Sequence, residues 1–325
     1  MNFQSHRAEL IRYVQDSSHS FEEKALRVFE FQFQYNEIYR LYLDILKIKI
    51  KSIDSIHRIP YLPISLFKTH RVKTGHFEPD KIFKSSGTTG TIQSQHGIRD
   101  SKFYLENAAD CFKQAFTEPV SYFQHLALLP SYVSNPDSSL LFMLDDFIRQ
   151  VGGMYLHGLS EAEIVRVLDA ISRPTILWGV SYALYQFNRV LSHNPYLMIM
   201  ETGGMKGKER EMTRFELHAR IKATFNVQRV SSEYGMTELL SQAYAMENGL
   251  FTPNAMLKAF PRSVTDPLSL EDFGQTAALN LIDLANIDSC SFIATDDLGK
   301  VYPDDRFEVL GRMDHSDVRG CNQLI

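Results

Sequence analysis

The sequence predicts an α/β protein with a mostly parallel sheet covered by helices and a smaller β-rich part towards the C-terminus. Two observations support this fold class. Between Gln124 and Gly235, short apolar runs alternate with amphipathic helical segments, and repeated strand–helix–strand units imply a parallel sheet. After Gly249 the helical periodicity fades, and short strand-like runs separated by turn residues replace it. With 325 residues, the chain can bury a large core in one or two domains.

Composition excludes several classes of protein. An apolar fraction of 44% with a net charge of −5 is typical of a folded globular chain rather than a disordered one. The mild negative charge gives no reason to expect nucleic acid as a partner. No apolar run approaches the roughly 18 residues of a membrane-spanning helix, and the first residues do not resemble a signal peptide. We therefore expect a cytoplasmic protein with no membrane span.

The first 50 residues predict a helical N-terminal cover. Ser20 and Glu23 fit a capping box, and the aromatic-rich segment Phe21–Leu46 after it predicts one or two amphipathic helices. Between Leu46 and Lys84, nine basic residues outnumber three acidic ones and three prolines disfavour regular structure. This segment predicts an extended, locally basic lead-in.

The α/β core is expected over residues 51–249. Its predicted strands are His125–Leu129, Gly153–Leu156, Thr175–Val180, Leu197–Gly204 and Val227–Gly235. Its predicted helices are Ser138–Gln150, Glu161–Ile171, Tyr182–Leu191 and Lys208–Phe225. Ligands of such sheets bind beyond the carboxyl ends of the strands, so the loops there are the expected site.

Residues 250–325 predict the β-rich subdomain. The expected strands are Ala277–Leu284, Ser291–Asp297 and Phe307–Arg312. Turn-forming residues at 297–300 and 303–305 predict that the chain reverses direction at both places.

The hexapeptide Ser85–Gly90, SSGTTG, is the most informative motif. Glycine lets the backbone approach an anion closely, and the hydroxyls can donate hydrogen bonds to phosphate oxygens. No GKS or GKT follows, so it is not a Walker loop. By itself such a hexapeptide is more often a plain turn.

Two further motifs follow predicted strands. In Thr202–Gly204, a glycine pair allows a flat base to lie against the backbone. In Tyr234–Glu238, YGMTE, the aromatic ring could stack on that base and Glu238 could hold Mg²⁺. Taken singly, these are also what a loop glycine and a satisfied carboxylate look like.

Asp297 and Arg312 complete the set. A carboxylate can accept both hydroxyls of a ribose, and a guanidinium can support the same sugar or a phosphate. Singly, Asp297 is a good turn residue and Arg312 a solvated surface cation, but with the preceding motifs they form an ordered pattern.

The order SSGTTG, TGG, YGMTE, TDDL, GRxD resembles the adenylate-forming superfamily, which includes acyl-CoA ligases and luciferase-type enzymes. Within it, the lead-in IPYLPISLFK and the ending at RGC look like the acyl-protein synthetases of the bacterial bioluminescence fatty acid reductase, with phenylacetate-CoA ligases next. The likeness covers roughly residues 55–325. It implies the large domain of that superfamily.

The resemblance also implies site residues and cofactors. ATP and Mg²⁺ are the expected cofactors, and Glu238 would be the metal ligand. Catalytic roles fall on Thr89, Thr237, Glu238 and Cys321. Nucleotide-binding roles fall on Ser85, Ser86, Gly87, Thr88, Thr89, Gly90, Gly203, Gly204, Tyr234, Gly235, Asp297 and Arg312. Asp314 matches the hinge of the family's mobile C-terminal domain. Little sequence follows it, so we expect that domain and its catalytic lysine to be absent.

Three cysteines, Cys111, Cys290 and Cys321, lie too far apart to form a CxxC pair, and we expect no disulfide framework. Cys321 corresponds, by resemblance, to the cysteine that carries the acyl group in the bioluminescence synthetases; otherwise it is a neutral tail residue. A thiolate attacks activated carbonyls well, which favours the first interpretation.

Substrate and acceptor are less specified. The resemblance implies a carboxylic acid, with a fatty acid the first expectation, and a reductase, CoA or an acyl carrier protein as possible acceptors. Aromatic and apolar residues could line an acid pocket or belong to the core: Tyr132, Phe142, Met143, Trp178 and Tyr182. Two alternatives stay open: a ligase that loads CoA or a carrier protein, and a non-catalytic nucleotide-binding subunit of a biosynthetic complex.

Overall fold

The computed structural model describes residues 2–86, 92–130, 135–203 and 212–313. Its N-terminal part contains three helices, α1 (Phe3–Gln15), α2 (Phe21–Tyr35) and α3 (Glu37–Ile45). Ser20 and Glu23 form the predicted capping box of α2. The predicted helical segment is divided at Asn36, whose side chain accepts from the Tyr39 amide and so caps α3.

The basic lead-in contains little regular structure, as predicted. It holds two 3₁₀ turns (Ile50–Ser52 and Ile56–Arg58), the two-residue strand β1 (Leu62–Pro63) and the short helix α4 (Leu66–Thr69). A hairpin follows, formed by β2 (Lys81–Lys84) and β3 (Gln95–Ile98), which the sequence pattern did not predict. The segment that joins these two strands contains the Ser85–Gly90 motif.

The predicted parallel sheet is present. Its strands are β4 (Gln124–Leu128), β5 (Gly153–Tyr155), β6 (Thr175–Val180), β7 (Leu197–Thr202), β8 (Val230–Tyr234) and β9 (Ala243–Ala245). They lie in the order β5-β4-β6-β7-β8-β9, and only β9 runs antiparallel to its neighbour. The carboxyl ends of β7 and β8 therefore lie side by side, and they carry the Thr202–Gly204 and Tyr234–Glu238 motifs.

Helices α5 (Ser101–Phe116), α6 (Ser139–Val151), α7 (Glu161–Asp169), α8 (Ser181–Gln186) and α9 (Arg214–Phe225) belong to this part. Helix α8 ends at Gln186, so its predicted extension to Leu191 was wrong. The Glu161 carboxylate accepts from the Asn188 and Arg189 amides, which turns the backbone out of the helix. Buried side chains of these helices and of β4, β6, β7 and β8 form one apolar core around Trp178.

A second, mixed sheet follows. Its strands are β10 (Leu250–Phe251), β11 (Leu257–Arg262), β12 (Ala277–Asp283), β13 (Phe292–Val301) and β14 (Phe307–Arg312), in the order β10-β14-β13-β12-β11. Strand β1 pairs in parallel with the start of β13. The apolar face of this sheet shares a second core with α1, α2 and α3.

The predicted turn at 297–300 was wrong, because these residues lie inside β13. Leu298 pairs with Ala278 on one side and Gly311 on the other, and the register shifts after Leu298. A Cβ on Gly299 would lie 2.1 Å from the Glu308 carbonyl oxygen, so glycine is needed here for close strand approach rather than for a turn. The second predicted turn, at 303–305, is present between β13 and β14.

Candidate functional site

The end of β8 is joined to the second sheet through Tyr234. Its ring is buried and packs against Phe251 and Phe307, with centroid distances of 5.7 and 5.8 Å. Its hydroxyl donates a hydrogen bond to Asp297 Oδ2 at 2.7 Å. Burial, reinforced by the Asp297 charge, holds the pKa of Tyr234 well above its usual range. The hydroxyl therefore remains a donor that fixes the carboxylate.

Asp297 is also fixed from its other side. It lies opposite Arg312 in the β13–β14 register, and Arg312 Nε donates to Asp297 Oδ1 at 3.2 Å. The Asp297 side chain is 9% exposed and that of Arg312 is 58% exposed. A buried carboxylate is thus held by a tyrosine while an arginine extends from it into solvent, as a sugar-binding pair would require.

Glu238 lies in the turn that follows β8 and is buried. Burial raises the pKa of its carboxyl, while a hydrogen bond from Ser94 and the charge of Arg312 act in the opposite direction. A carboxylate whose charge is poorly solvated gains from a nearby cation. This chemistry fits a magnesium ligand, since Mg²⁺ commonly takes one or two carboxylates together with substrate phosphates.

The base of the Ser85–Gly90 motif is closed by the β2–β3 hairpin. The Ser85 amide donates to the Ser94 carbonyl at 3.1 Å, and the Ser94 amide donates to Ser85 Oγ at 3.0 Å. Because Ser94 also contacts Glu238, the hairpin places the start of the motif next to the turn after β8. Ser86 is exposed beside it.

Lys84, which directly precedes the Ser85–Gly90 motif, is paired with Asp137 among the described residues. Its Nζ lies 2.9 Å from Asp137 Oδ2, and Lys81 Nζ lies 3.5 Å from Asp137 Oδ1. These pairs are partly exposed, so they contribute little to stability.

The local geometry explains why glycine occupies two positions at the strand ends, Gly203 and Gly235. Gly203 has a φ of +73°, a conformation that other residues rarely adopt, and its carbonyl accepts from Ser181 Oγ. A Cβ on Gly235 would lie 2.5 Å from Glu233 Oε1. Both glycines leave the backbone accessible beside β7 and β8, where the sequence predicted the adenine.

A cluster of buried polar groups lies beneath these strand ends and was missed by sequence reasoning. Ser181 donates to Glu201, Thr202 Oγ1 donates to Glu233 Oε2 at 2.5 Å, and His218 Nε2 lies 3.7 Å from Glu201 Oε2. Burial and the neighbouring Glu201 charge raise the pKa of Glu233 to about 7. Burial disfavours the charge on Glu201 too, but His218 and Arg214 outweigh it and lower its pKa.

Sequence reasoning also gave no role to Ser94, His96 or Asn286, which contact the turn after β8. His96 donates to the Thr237 carbonyl, and Asn286 donates to the Glu238 carbonyl. Nothing in their local sequence signals this, because the contacts join β3 and the β12–β13 connection to β8.

Several predicted site residues lie outside the described residues: Gly87, Thr88, Thr89, Gly90, Gly204 and Cys321. The same holds for Asp314 and Tyr132. The described site therefore comprises Ser85, Ser86, Gly203, Tyr234, Gly235, Thr237, Glu238, Asp297 and Arg312.

The candidate acid-pocket residues belong largely to the core. Trp178 is fully buried and donates to His125 Nδ1, and Met143 is 1% exposed. Phe142 packs against Phe83 and Tyr104. These contacts are those of structural side chains.

Within the described residues, no helix is long and apolar enough to cross a membrane. The same residues contain no cluster of three or more His, Cys, Asp or Glu side chains placed to bind a metal. Cys111 and Cys290 are buried and free.

No protein-family model and no curated protein sequence matches the chain. Solved structures do. An open conformation of 2-hydroxyisobutyryl-CoA ligase, in complex with 2-HIB-AMP and CoA, has a TM-score of 0.66 at 11% identity, over 89% of this chain and 73% of that chain. ATP-bound MatB from Rhodopseudomonas palustris has a TM-score of 0.52 at 17% identity, over 73% of this chain and 49% of that chain. O-succinylbenzoate coenzyme A synthetase from Bacillus subtilis, in complex with AMP, has a TM-score of 0.51 at 15% identity.

These likenesses show the fold: the chain has the α/β fold found in adenylate-forming enzymes. The part of the MatB chain that matches is about half of its length. At identities of 11 to 17%, the fold is what these structures share with this chain.

Proposed function

We propose that this chain activates a carboxylic acid with ATP, forming an acyl-adenylate and pyrophosphate, and then passes the acyl group to a thiol. We propose a fatty acid as the substrate and a protein thiol as the acceptor, which would make the chain an acyl-protein synthetase. We place it in the cytoplasm. We propose three parts: a helical N-terminal cover over residues 1–50, an α/β core over 51–249 and a β-rich subdomain over 250–325.

The observation that carries the proposal is the convergence of four distant motifs. Tyr234 contacts Asp297, Asp297 contacts Arg312, and Glu238 contacts Ser94 at the base of the Ser85–Gly90 motif. These residues come from β8, β13, β14 and the β2–β3 hairpin. A nucleotide needs such a set, with donors for phosphates, a carboxylate for ribose and accessible backbone for the base.

The chemistry follows from these parts. A carboxylate oxygen of the acid attacks the α-phosphorus of ATP, the bond to the bridging oxygen breaks, and pyrophosphate leaves. A thiolate then attacks the acyl carbon and AMP leaves with the bonding electrons. The chain contributes position and charge: Asp297 and Arg312 hold the ribose, Thr237 donates towards the α-phosphate, and hydroxyls of the Ser85–Gly90 motif, including Thr88 and Thr89, bind the phosphates.

Glu238 would hold Mg²⁺ on the phosphates. Bound there, Mg²⁺ would neutralise negative charge on the phosphate oxygens. The buried carboxylate fits this role because a divalent cation would replace the solvation that burial removes.

Two acceptors are supported by different observations. Cys321 is favoured by the sequence resemblance and by thiolate chemistry. CoA is favoured by the fold, because the matching 2-hydroxyisobutyryl-CoA ligase structure contains CoA. In the first case, a reductase or an acyl carrier protein would receive the acyl group from Cys321. If Cys321 takes no part, CoA or an acyl carrier protein would receive it directly from the acyl-adenylate.

A labelling experiment separates these acceptors. The protein is incubated with ATP, Mg²⁺ and a radiolabelled fatty acid, with and without CoA, and then separated on a denaturing gel. We expect hydroxylamine-labile label on the wild type and none on Cys321→Ser, with Cys111→Ser as the matched control that keeps its label. Label that persists in Cys321→Ser, or that forms only on CoA, would assign the acceptor role elsewhere.

A further inference from the structure

Two buried side chains donate hydrogen bonds to the backbone of the turn that carries Thr237 and Glu238. His96 Nδ1 lies 2.8 Å from the Thr237 carbonyl oxygen, so this nitrogen carries the proton and donates. Asn286 Nδ2 donates to the Glu238 carbonyl oxygen at 2.8 Å and to the Cys290 carbonyl oxygen at 3.0 Å. Two consecutive carbonyls of the turn therefore have partners that are each 1% exposed.

Both side chains leave one polar atom without a hydrogen-bond partner among the described residues. These atoms are His96 Nε2 and Asn286 Oδ1. Arg99 Nη1 also makes no hydrogen bond there, although it lies 3.7 Å from Asp288 Oδ1. In neutral His96, Nε2 and Asn286 Oδ1 are both acceptors, because the other nitrogen of each side chain donates to a carbonyl. Only protonated His96 would donate directly to Asn286, and burial disfavours that form by lowering the pKa of His96 to about 4. Each unpaired buried atom costs about 1–3 kcal/mol, so a missing partner is expected.

A cavity of about 10 Å³ adjoins these side chains. His96, Arg99, Asn286 and Asp288 are among its lining residues. About 10–15 Å³ is the space that one water molecule needs, and a buried water makes about three hydrogen bonds. One water molecule would satisfy all three atoms: it would donate to His96 Nε2 and to Asn286 Oδ1, and it would accept from Arg99 Nη1.

We propose that one water molecule bridges His96 and Asn286 in this cavity, and that these two side chains with their water position Thr237 and Glu238 for the adenylation step. The role in adenylation rests on the proposed function. His96 is a positioning residue: it contacts the backbone of the turn and acts on the substrate through Thr237 and Glu238.

The backbone of a catalytic turn has to stay still for its side chains to meet the α-phosphate and the metal. A misplacement of about 1 Å can cost about 100-fold in rate. Loss of the His96 support should therefore lower kcat for adenylation more than it raises KM for ATP, because Asp297 and Arg312 continue to hold the ribose.

Three variants test the positioning role. His96→Phe keeps a ring but removes both nitrogens, and we expect kcat for pyrophosphate exchange to fall about 10- to 100-fold with KM for ATP changed less than about threefold. His96→Asn keeps a donor near the Nδ1 position and should restore most of kcat. His125→Phe is the control, because His125 is equally buried and bonds the Val120 carbonyl outside the site. It should lower stability and leave kcat per folded molecule unchanged.

Equal losses of kcat in His96→Phe and His125→Phe, or no rescue by His96→Asn, would overturn the positioning role. A high-resolution crystal structure tests the water directly: density within hydrogen-bond distance of both His96 Nε2 and Asn286 Oδ1 is expected, and an empty cavity would overturn the water site.

A third measurement does not depend on activity. Hydrogen exchange at the Leu239 and Leu240 amides, which follow the turn, should accelerate in His96→Phe and not in His125→Phe. If the wild type shows no pyrophosphate exchange, the proposed function fails. Unchanged amide exchange in His96→Phe would then separately overturn the support of the turn by His96.

Discussion

The Tyr234 hydroxyl donates to Asp297 Oδ2 at 2.7 Å, and this bond joins the last parallel strand of one sheet to the central strand of the other. The two residues are far apart in sequence and both are buried. Because the tyrosine ring also packs against Phe251 and Phe307, the bond forms part of the second core. The candidate ribose site is thereby tied to the packing of the protein.

Tyr234→Phe tests the hydrogen bond between Tyr234 and Asp297. The variant keeps the ring packing but removes one partner of a buried carboxylate, so we expect the free energy of unfolding to fall by about 1–3 kcal/mol. KM for ATP should rise by up to about tenfold if the lost bond is worth about 1.4 kcal/mol. Tyr155→Phe is the matched control, because Tyr155 donates to Asp145 outside the site. A rise in KM for both variants would argue against a specific role for Tyr234.

Arg312→Met should weaken the binding of ATP while leaving the stability of the fold nearly unchanged. The Arg312 side chain is 58% exposed, so losing its pair with Asp297 should change the free energy of unfolding by less than about 1 kcal/mol. If it supports the ribose, KM for ATP should nevertheless rise. Arg306→Met removes a comparable exposed pair with Asp304 and should leave KM unchanged. Equal KM values in the two variants would remove Arg312 from the site.

Arg7→Met tests the attachment of the N-terminal helices. Arg7 contacts both carboxylate oxygens of Asp288, at 2.6 and 2.5 Å, and both side chains are 15% exposed. Removing this bidentate pair leaves a poorly solvated carboxylate whose other cation, Arg99 Nη1, lies 3.7 Å from Oδ1, so urea unfolding should show a loss of about 2 kcal/mol. The exposed pair between Arg27 and Glu9 is the comparison, and Arg27→Met should cost less than about 1 kcal/mol. Similar losses would contradict this account.

Glu233 should make stability depend on pH. Its pKa is about 7 in the folded chain against an ordinary value of 4.5, so the native state binds more protons between these values. The free energy of unfolding therefore falls as pH rises from about 4.5 to about 7, by on the order of 3 kcal/mol at most.

Glu233→Gln should remove this contribution while Thr202 still has an oxygen to donate to. The measurement is the change in unfolding free energy between pH 4.5 and 7.5. We expect the free energy of unfolding to decrease less in the variant than in the wild type, because the contribution of Glu233 is gone. Some change remains, because other groups titrate in both proteins. Identical pH profiles would show that Glu233 is ionised throughout this range.

The elements that local sequence predicts well are those whose own pattern decides them. The capping box at Ser20 marks the start of α2, and the apolar runs at Thr175 and Leu197 mark β6 and β7. The turn at 297–300 failed because pairing on both sides of β13 outweighs the local preference of Asp297 and Gly299. Strand β11, which contains a proline, was missed for the same reason: its place is set by β12.

The residues of the candidate site likewise divide into those that local sequence predicts and those that it does not. Tyr234 and Glu238 are expected at the site because the order of the motifs resembles that of a known superfamily, and their roles stay predictions. His96 and Asn286 cannot be found in this way, because their role arises from contacts between segments that are distant in sequence. The buried pair Glu201 and Glu233 likewise acquires its unusual pKa values only when β7 and β8 lie side by side.

Acid-dependent exchange of labelled pyrophosphate into ATP tests the central claim most directly. The chain is incubated with ATP, Mg²⁺, labelled pyrophosphate and a panel of carboxylic acids of increasing chain length, after cooperative unfolding has shown that it is folded. We predict exchange that requires an acid and Mg²⁺ and that falls strongly in Glu238→Gln. A folded chain that gives no exchange with any acid of the panel would contradict the proposed adenylation.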